Sequence, residues 1–345
     1  MVKVSSRYTV SVETLASHHK AVEQFLRERG DYEVLLEVLN IELQSLEGFN
    51  PQQRIPIDII ARNIDTVAEW LNEPNLGLKV SPYSSRRQKR LGFFFEEKSL
   101  PLFDYFRMLA RYVCISSEVM RVDVRPDEDR VILIIEPNCP IAVSYHQTEG
   151  FIASVCDLVK ESRNLEPTEI GFDHCKPDGS DCQIYRQILG IQPNFAQATS
   201  SISYPCESAE QLPVERRPSD SCIHSIRSME ALKRREVGAD CWVERSRFLL
   251  EILMHYGDPK KNVLAELLAV SPRTLQRRLE TEGETYRNLL NNLRKELATK
   301  YVVDKDYTVE YVAFLLGYQD VGHFFRAFKE WYGMTPGQFR EKAPS

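Results

Sequence analysis

A chain of 345 residues with 43% hydrophobic and 27% charged residues has a globular composition and enough length for two or three domains. No apolar run reaches the roughly 18 residues of a membrane helix, and Met1 to Val12 lack the apolar core of a signal peptide. We therefore expect a cytoplasmic protein without a membrane partner. The eight cysteines include no CxxC pair, so we expect reduced thiols and no metal site.

The net charge of −6 is unevenly distributed along the chain. Residues 241–345 carry 16 Lys and Arg against 14 Asp and Glu, a net charge of +2, which leaves −8 for the rest. Because nucleic-acid binding depends on local basic stripes, the acidic total does not exclude DNA as a partner.

The first two hundred residues alternate between helical and strand-like apolar spacing, which predicts an α+β domain over residues 1–204. The predicted helices are Val34–Leu46, Ile57–Leu71, Leu100–Ile115, Phe151–Arg163 and Asp181–Leu189. The predicted strands are Val119–Val124, Arg130–Glu136, Glu169–Phe172, Pro193–Ala198 and Ser201–Tyr204.

Residues 205–240 differ in composition from the segments on either side. Pro205, Pro213 and Pro218 interrupt the chain, which predicts a linker. Within it, Ser221–Arg235 has helical apolar spacing, and the resulting stripe can pack on the preceding domain or on a second subunit.

Residues 241–345 are predicted to be all helical, and two segments within them repeat one pattern. Val263–Leu279 and Tyr311–Phe328 each contain a small Ala, an apolar pair, a turn and a second helix with an Arg. This is the layout of a helix-turn-helix motif, and a long helix over Thr285–Val303 joins the two copies. A single such motif is common in helical proteins, whereas the same spacing twice favours DNA binding.

The side chains left outside by each second helix are the candidate DNA contacts. Leu275 and Leu279 face inward in the first copy, as Phe324 and Phe328 do in the second. Arg pairs with guanine and Gln with adenine in the major groove, whereas Arg278 and Lys329 suit phosphate contact or a solvated surface. The candidates are Arg273, Thr274, Gln276, Arg277, Arg278, Val321, Gly322, His323, Arg326 and Lys329.

The C-terminal hundred residues resemble the AraC/XylS family of transcription regulators. The likeness lies in Thr308–Asp320, in Phe324-Phe-Arg-Ala-Phe-Lys, in Gly333–Arg340 and in the first recognition helix Ser271–Leu279. Gly322 stands where the family usually has Ser, so a hydroxyl for a phosphate is missing and the Gly322 backbone N–H could replace it. The resemblance implies double-stranded DNA and RNA polymerase as partners.

The preceding domain resembles the arabinose-binding-type N-terminal domain of ornithine- and arginine-responsive members of that family. The likeness is carried by Arg54-Ile-Pro-Ile, by Asp65–Val80 and by Gly171-Phe-Asp-His-Cys-Lys-Pro. In such members this domain senses a small effector or dimerises, so the resemblance implies an unidentified effector and a possible homodimer. It favours a structural role for His174 at a strand end over a role as effector ligand.

We therefore predict a sequence-specific DNA-binding transcription activator without catalytic residues or a cofactor. Two alternatives remain open. The first is a repair or metabolic enzyme with this DNA-binding tail, although the sequence contains no GxSxG, Walker, HExxH or Cys-His arrangement. The second is an interaction protein that is controlled by abundance or by a protein partner rather than by a ligand.

Overall fold

The computed structural model describes most of the chain, which divides into two compact units. The N-terminal unit is Met1–Leu212 with Arg235–Val237, and the C-terminal unit is Pro213–Arg234 with Gly238–Ser345. The described residues are 9–30, 54–56, 63–85, 100–127, 130–138, 143–205, 218–238, 240–257, 259–303 and 307–342.

The N-terminal unit combines six described helices with six short strands. The helices are α1 (Val12–Arg29), α2 (Asn63–Leu71), α3 (Leu76–Ser85), α4 (Leu102–Ser116), α5 (Tyr145–Arg163) and α6 (Cys182–Leu189). The strands are β1 (Thr9–Ser11), β2 (Arg54–Pro56), β3 (Met120–Asp127), β4 (Arg130–Pro137), β5 (Glu169–Gly171) and β6 (Ser200–Pro205).

Four of these strands form an antiparallel sheet in the order β3-β4-β6-β5, and β1 pairs separately with β2. Alternate residues of β4, namely Val131, Leu133 and Ile135, are buried, because successive side chains of a strand point to opposite faces. On the buried face, Phe106 of α4 packs against Tyr204 of β6 with ring centroids 5.3 Å apart. The sheet therefore has one face covered by helix, as half-buried antiparallel sheets commonly do.

Arg54 connects the small sheet to the end of α4. Its guanidinium donates to the carbonyl oxygens of Ile115 (2.7 Å), Cys114 (3.0 Å) and Thr9 (3.0 Å). It also lies 3.5 Å from the Glu118 carboxylate. The planar fork of one arginine thus satisfies two carbonyl oxygens in the last turn of α4. It also adds a second hydrogen bond to the Thr9 carbonyl oxygen, which accepts from the Glu118 N–H (3.0 Å) as well.

The predicted strands Val119–Val124 and Arg130–Glu136 are present as the antiparallel pair β3 and β4. The prediction of a strand over 193–198 was wrong. There the chain makes only an isolated bridge between Asn194 and Gly171. Ala196 has a φ of +56°, which no strand residue adopts. The sequence pattern also missed α3, which carries Pro82 inside the helix. The predicted helix Val34–Leu46 lies outside the described residues.

The C-terminal unit is all helical over its described residues, which together with the mixed N-terminal unit confirms the predicted fold class. Its first helix, Asp220–Glu236, lies in this unit up to Arg234. A buried ion pair between Glu230 of this helix and Arg245 of the next helix (2.7 Å) joins the two. The helices are α7 (Asp220–Glu236), α8 (Trp242–His255), α9 (Lys261–Leu267), α10 (Pro272–Thr281), α11 (Tyr286–Val303), α12 (Val309–Leu315), α13 (Val321–Tyr332) and α14 (Pro336–Lys342).

None of the helices in the described ranges combines the length and the apolarity needed to cross a bilayer.

Candidate nucleic-acid interface

The first helix-turn-helix consists of α9, a short turn and α10. Ser271 caps α10 by accepting a hydrogen bond from the Thr274 N–H (3.1 Å), and Pro272 occupies the first helical position. Leu275 and Leu279 of α10 are fully buried, and burial of each contributes about 1.5–3 kcal/mol. These two side chains fix which face of α10 is turned away from the protein.

The second helix-turn-helix repeats this arrangement with α12 and α13. Asp320 caps α13 by accepting from the His323 N–H (3.1 Å), and Gly333 ends the helix in the left-handed conformation. Phe324 and Phe328 are fully buried in the positions that Leu275 and Leu279 hold in the first copy. Thr308 caps α12 in the same way, by accepting from the Tyr311 N–H (3.2 Å).

The two turns have the same backbone conformation with different residues. Ala269 in the first turn has a φ of +54°, and Gly317 in the second has a φ of +68°. The N–H of the residue after each donates to the carbonyl oxygen of the alanine at the equivalent position of its own repeat. Val270 donates to Ala265 and Tyr318 to Ala313, both at 3.0 Å. The duplication seen in the sequence is therefore a duplication of backbone geometry.

Two arginines of the first recognition helix occupy its outward face. In an α-helix, residues two before and two after Leu275 lie nearly opposite to it, and these are Arg273 and Arg277. Both are exposed, and neither has an acidic partner among the described residues. They are thus available to a ligand that meets this face.

The corresponding face of α13 carries Gly322 and Arg326, followed one turn later by Lys329. All three are exposed, and the described residues offer Arg326 and Lys329 no acidic partner. Because Gly322 has no side chain, a DNA backbone can approach the start of α13 more closely than it can approach Arg273. The second copy therefore presents fewer side-chain donors near its helix start.

Thr274 and Gln276, which flank the outward face of α10, already have partners in the protein. The Thr274 hydroxyl lies 2.9 Å from the Ser271 hydroxyl and belongs to the cap. The Gln276 amide accepts from Lys261 Nζ (2.9 Å) and donates to the Glu280 carboxylate (2.7 Å). A base contact by Gln276 thus requires at least one of these hydrogen bonds to be exchanged.

The remaining predicted contacts differ in their surroundings. The guanidinium of Arg278 lies 5.6 Å from the centroid of the Trp242 ring, a cation–π distance. Val321 is half-buried and packs against the core of the second motif, whereas the side chain of His323 is exposed. Lys261 was missed by the sequence prediction because it lies on α9, and only the fold brings it to Gln276.

The long helix α11 holds the second turn through Arg294. Its guanidinium donates from Nε to the Leu316 carbonyl oxygen (2.9 Å) and from Nη2 to the Gly317 carbonyl oxygen (2.8 Å). It also lies 4.2 Å from the centroid of the Tyr318 ring. Burial lowers the pKa of Arg294.

The second turn also contacts the segment that leads into the first motif. A Cβ on Gly317 would lie 2.8 Å from the ring carbons of Pro259. The hydroxyl of Tyr286, at the start of α11, donates to the Pro259 carbonyl oxygen. These contacts connect the two helix-turn-helix motifs through packed atoms rather than through α11 alone.

The N-terminal unit contains a buried titratable cluster around Glu149. The Tyr185 hydroxyl donates to Glu149 Oε1 (2.5 Å), and Nε2 of His174 lies 3.7 Å from the same oxygen. Burial raises the pKa of Glu149 to about 8 and lowers that of His174, so both groups are mainly uncharged at neutral pH. The described residues contain no group of His, Cys, Asp and Glu that could hold a metal ion.

The paired motifs, with basic outward faces on both recognition helices, define a DNA-binding domain of the double helix-turn-helix class. The sequence model of a protein family described as a helix-turn-helix domain matches residues 264–342. A model described as the arabinose-binding domain of AraC transcription regulators matches residues 30–212, more than half of the chain. The chain belongs to the AraC family of transcription regulators.

The chain is also similar to individual proteins along part or most of its length. The chain is 30% identical to the ornithine utilization regulator of Pseudomonas aeruginosa, over 62% of this chain and 63% of that protein. It is 24% identical to the HTH-type transcriptional regulator VirS of Mycobacterium tuberculosis, over 81% and 82% of the two chains. The match thus spans less than two thirds of the first relative's length. A superposition on the transcriptional regulator CdpR from Pseudomonas aeruginosa has a TM-score of 0.39 at 20% identity, covering 90% of this chain and 98% of that one.

Proposed function

We propose that this protein is a transcription activator that recognises a specific operator through α10 and α13 and acts in the cytoplasm. The observation that supports this best is the exposure of Arg277 and Arg326 at equivalent positions of two recognition helices, with no acidic partner among the described residues. Two such helices, held by a shared scaffold, suit successive major grooves about 34 Å apart on one side of the duplex.

The side chains have different proposed roles in this complex. Arg273 and Arg277 pair with guanine edges from α10, and Arg326 does so from α13. Lys329 contacts phosphate. The backbone N–H of Gly322, which lies in the first turn of α13, does the same. In this scheme the first motif supplies more of the sequence preference than the second.

The remaining predicted contacts assist this recognition. Thr274 flanks the outward face of α10 and His323 that of α13. Val321 makes an apolar contact with a thymine methyl group. Gln276 reads adenine after it releases Lys261 or Glu280. Arg278, stacked on Trp242, contributes positive charge near the phosphates rather than a base contact.

The N-terminal unit is proposed to control this affinity by binding a small-molecule effector or a second copy of the chain. Such coupling between sites typically amounts to about 1–3 kcal/mol, a change in affinity of about 5- to 150-fold. As an activator, the DNA-bound form would then contact RNA polymerase. The support for effector control is the match of residues 30–212 to a family of ligand-binding domains.

Selection of bound duplexes from a random pool, followed by fluorescence anisotropy on the enriched sequence, tests the proposed DNA recognition. We expect Arg277→Ala to weaken the selected duplex by about 5- to 150-fold, since one bidentate pair discriminates by about 1–3 kcal/mol. Lys329→Ala should instead weaken selected and random duplexes by the same factor and reduce the salt dependence.

Arg186→Ala is the matched control, because Arg186 is an exposed arginine of α6 in the N-terminal unit. This variant should bind the selected duplex with unchanged affinity. If it loses as much affinity as Arg277→Ala does, charge alone accounts for binding and the proposed recognition by α10 is wrong.

A further inference from the structure

The N-terminal unit contains a cavity of about 220 Å³ whose lining comes from several separate elements. Helices α1, α2, α3, α4 and α5 all contribute to it, together with β1 and the start of β3. An apolar cavity of about 150 Å³ is large enough for benzene. By the same scale this cavity has room for about nine non-hydrogen atoms.

Hydrocarbon side chains form most of the lining. Val80 of α3, Leu109 and Val113 of α4, and Phe151 and Val155 of α5 all border the space. Among the described residues that line it there is no Lys, Arg, Asp or Glu. An ammonium or carboxylate group would therefore lose its hydration here without gaining a counter-charge from this lining, which costs several kcal/mol.

Two imidazoles, His18 and His146, border the space, and both are mainly neutral at neutral pH. Burial lowers the pKa of His146 to about 4 and also lowers the pKa of His18. Nδ1 of His146 accepts from the Gly77 N–H (3.3 Å), which leaves the ring hydrogen on Nε2. The imidazole of His18, by contrast, makes no hydrogen bond to the described residues of the protein.

The other polar side chains of the described lining already have at least one partner. The Thr14 hydroxyl lies 2.7 Å from that of Ser11, Ser117 accepts from the Val119 N–H (3.2 Å), and the Gln147 amide oxygen accepts from the Ser144 N–H (3.3 Å). Ser154 donates to the Gly150 carbonyl oxygen (2.8 Å), and its oxygen lies 3.2 Å from the Ser81 hydroxyl. A sugar presents several hydroxyl groups, each of which needs partners when it is buried. Among the described residues, the lining offers too few unpaired polar atoms for that, but His18 suffices for a single hydroxyl or carbonyl.

We propose that this cavity is the effector site and that its ligand is a small uncharged, mainly hydrocarbon molecule with one hydrogen-bonding group held by His18. The inference rests on the proposed control of DNA binding by the N-terminal unit. It goes further in naming the chemistry of the effector, and it assigns neither an amino acid nor a sugar to this site.

Calorimetric titration of the full chain with probes of similar size tests the ligand class. The uncharged probes are 1-octanol and indole, and the comparison probes are L-ornithine and L-arabinose. We expect saturable binding of the first two only, with a rise in the unfolding midpoint of about 5–10 °C at a hundred times Kd. Failure of both uncharged probes to bind, or saturable binding of ornithine or arabinose, would overturn the assignment.

Variants of the lining show whether the bound probe occupies the cavity. Val113→Phe fills part of the space and should reduce the affinity for 1-octanol at least tenfold. His18→Leu keeps the lining apolar and should weaken 1-octanol about fivefold through loss of one hydrogen bond, while Arg186→Ala leaves it unchanged. Unchanged 1-octanol affinity in both lining variants would place the probe elsewhere and contradict the proposal. Direct titration of the unaltered protein does not depend on how well either variant folds.

Gel shifts with and without 1-octanol separate this inference from the proposed function. If the probe binds the cavity but the DNA affinity stays the same, the assignment of the cavity as an effector site is wrong, while the ligand chemistry proposed for the cavity and DNA recognition both hold. If DNA binds and neither uncharged probe does, the ligand class is wrong while DNA recognition holds.

Discussion

The two turns of the DNA-binding domain predict opposite responses to exchanging their residues. Gly317 and Ala269 both have positive φ, a conformation that costs an L-residue about 1–2 kcal/mol. Gly317→Ala adds this strain and also places a methyl group 2.8 Å from the ring carbons of Pro259. We expect a loss of about 2–4 kcal/mol in the free energy of unfolding.

Ala269→Gly removes the same backbone strain from the first turn. Part of the gain is offset by about 0.4–1 kcal/mol of extra freedom in the unfolded chain, so we expect a net stabilisation of about 0.5–1 kcal/mol. Urea unfolding of the full chain, followed by circular dichroism, measures both variants under identical conditions.

Gly283→Ala separates the two contributions to the Gly317 effect. Gly283 has a φ of +78°, and a Cβ built on it meets no described atom within 4 Å. This control should lose about 1–2 kcal/mol, the backbone cost alone. If Gly317→Ala costs no more than Gly283→Ala, or if Ala269→Gly destabilises the protein, the argument from the turn geometry is refuted.

Three other variants test the scaffold and the N-terminal unit. Arg294→Met removes two charge-assisted hydrogen bonds to the second turn and should destabilise the protein by about 2–4 kcal/mol in urea unfolding, whereas the exposed Arg287→Met should not. Glu149 has its pKa raised by burial to about 8, so stability should fall as pH rises from about 4.5 to 8. Between pH 4 and 6.5 the lowered pKa of His146, about 4, acts in the opposite direction, so the test compares pH 6.5 with pH 8. There the slope should reach at most about 1.4 kcal/mol per pH unit and should flatten in Glu149→Gln. Gly77→Ala, whose Cβ would overlap the His146 carbonyl, should separate α3 from α5 and abolish 1-octanol binding in calorimetry.

The DNA-binding half was largely predictable because its helix boundaries are determined by local chemistry. Ser271-Pro272, Thr308 and Asp320 are strong start signals, and each caps a helix in the structure. By contrast, α9 starts after Lys260 without any side-chain cap, so no residue at its start marks the boundary. Local sequence signals cannot reveal a helix start whose backbone N–H groups have no side-chain cap.

The N-terminal half was less predictable because its features depend on tertiary contacts. Apolar alternation indicated β3 and β4. The segment 193–198 has a similar pattern in the sequence, and only the positive φ of Ala196, which is seen in the structure, distinguishes it from a strand. The cavity arises where five helices meet, and the close approach of α3 to α5 at Gly77 is a property of their packing. Gln276 shows the same limit, since the helical pattern places it near the outward face without indicating Lys261 beside it.

Hydroxyl-radical footprinting on a selected operator tests the central claim most directly. Two recognition helices in successive major grooves predict two protected patches about ten base pairs apart on one side of the duplex. Arg277→Ala should weaken one patch and Arg326→Ala the other, with the remaining patch retained in each case. A single protected patch, or the same patch weakened by both substitutions, would contradict recognition by two separate motifs.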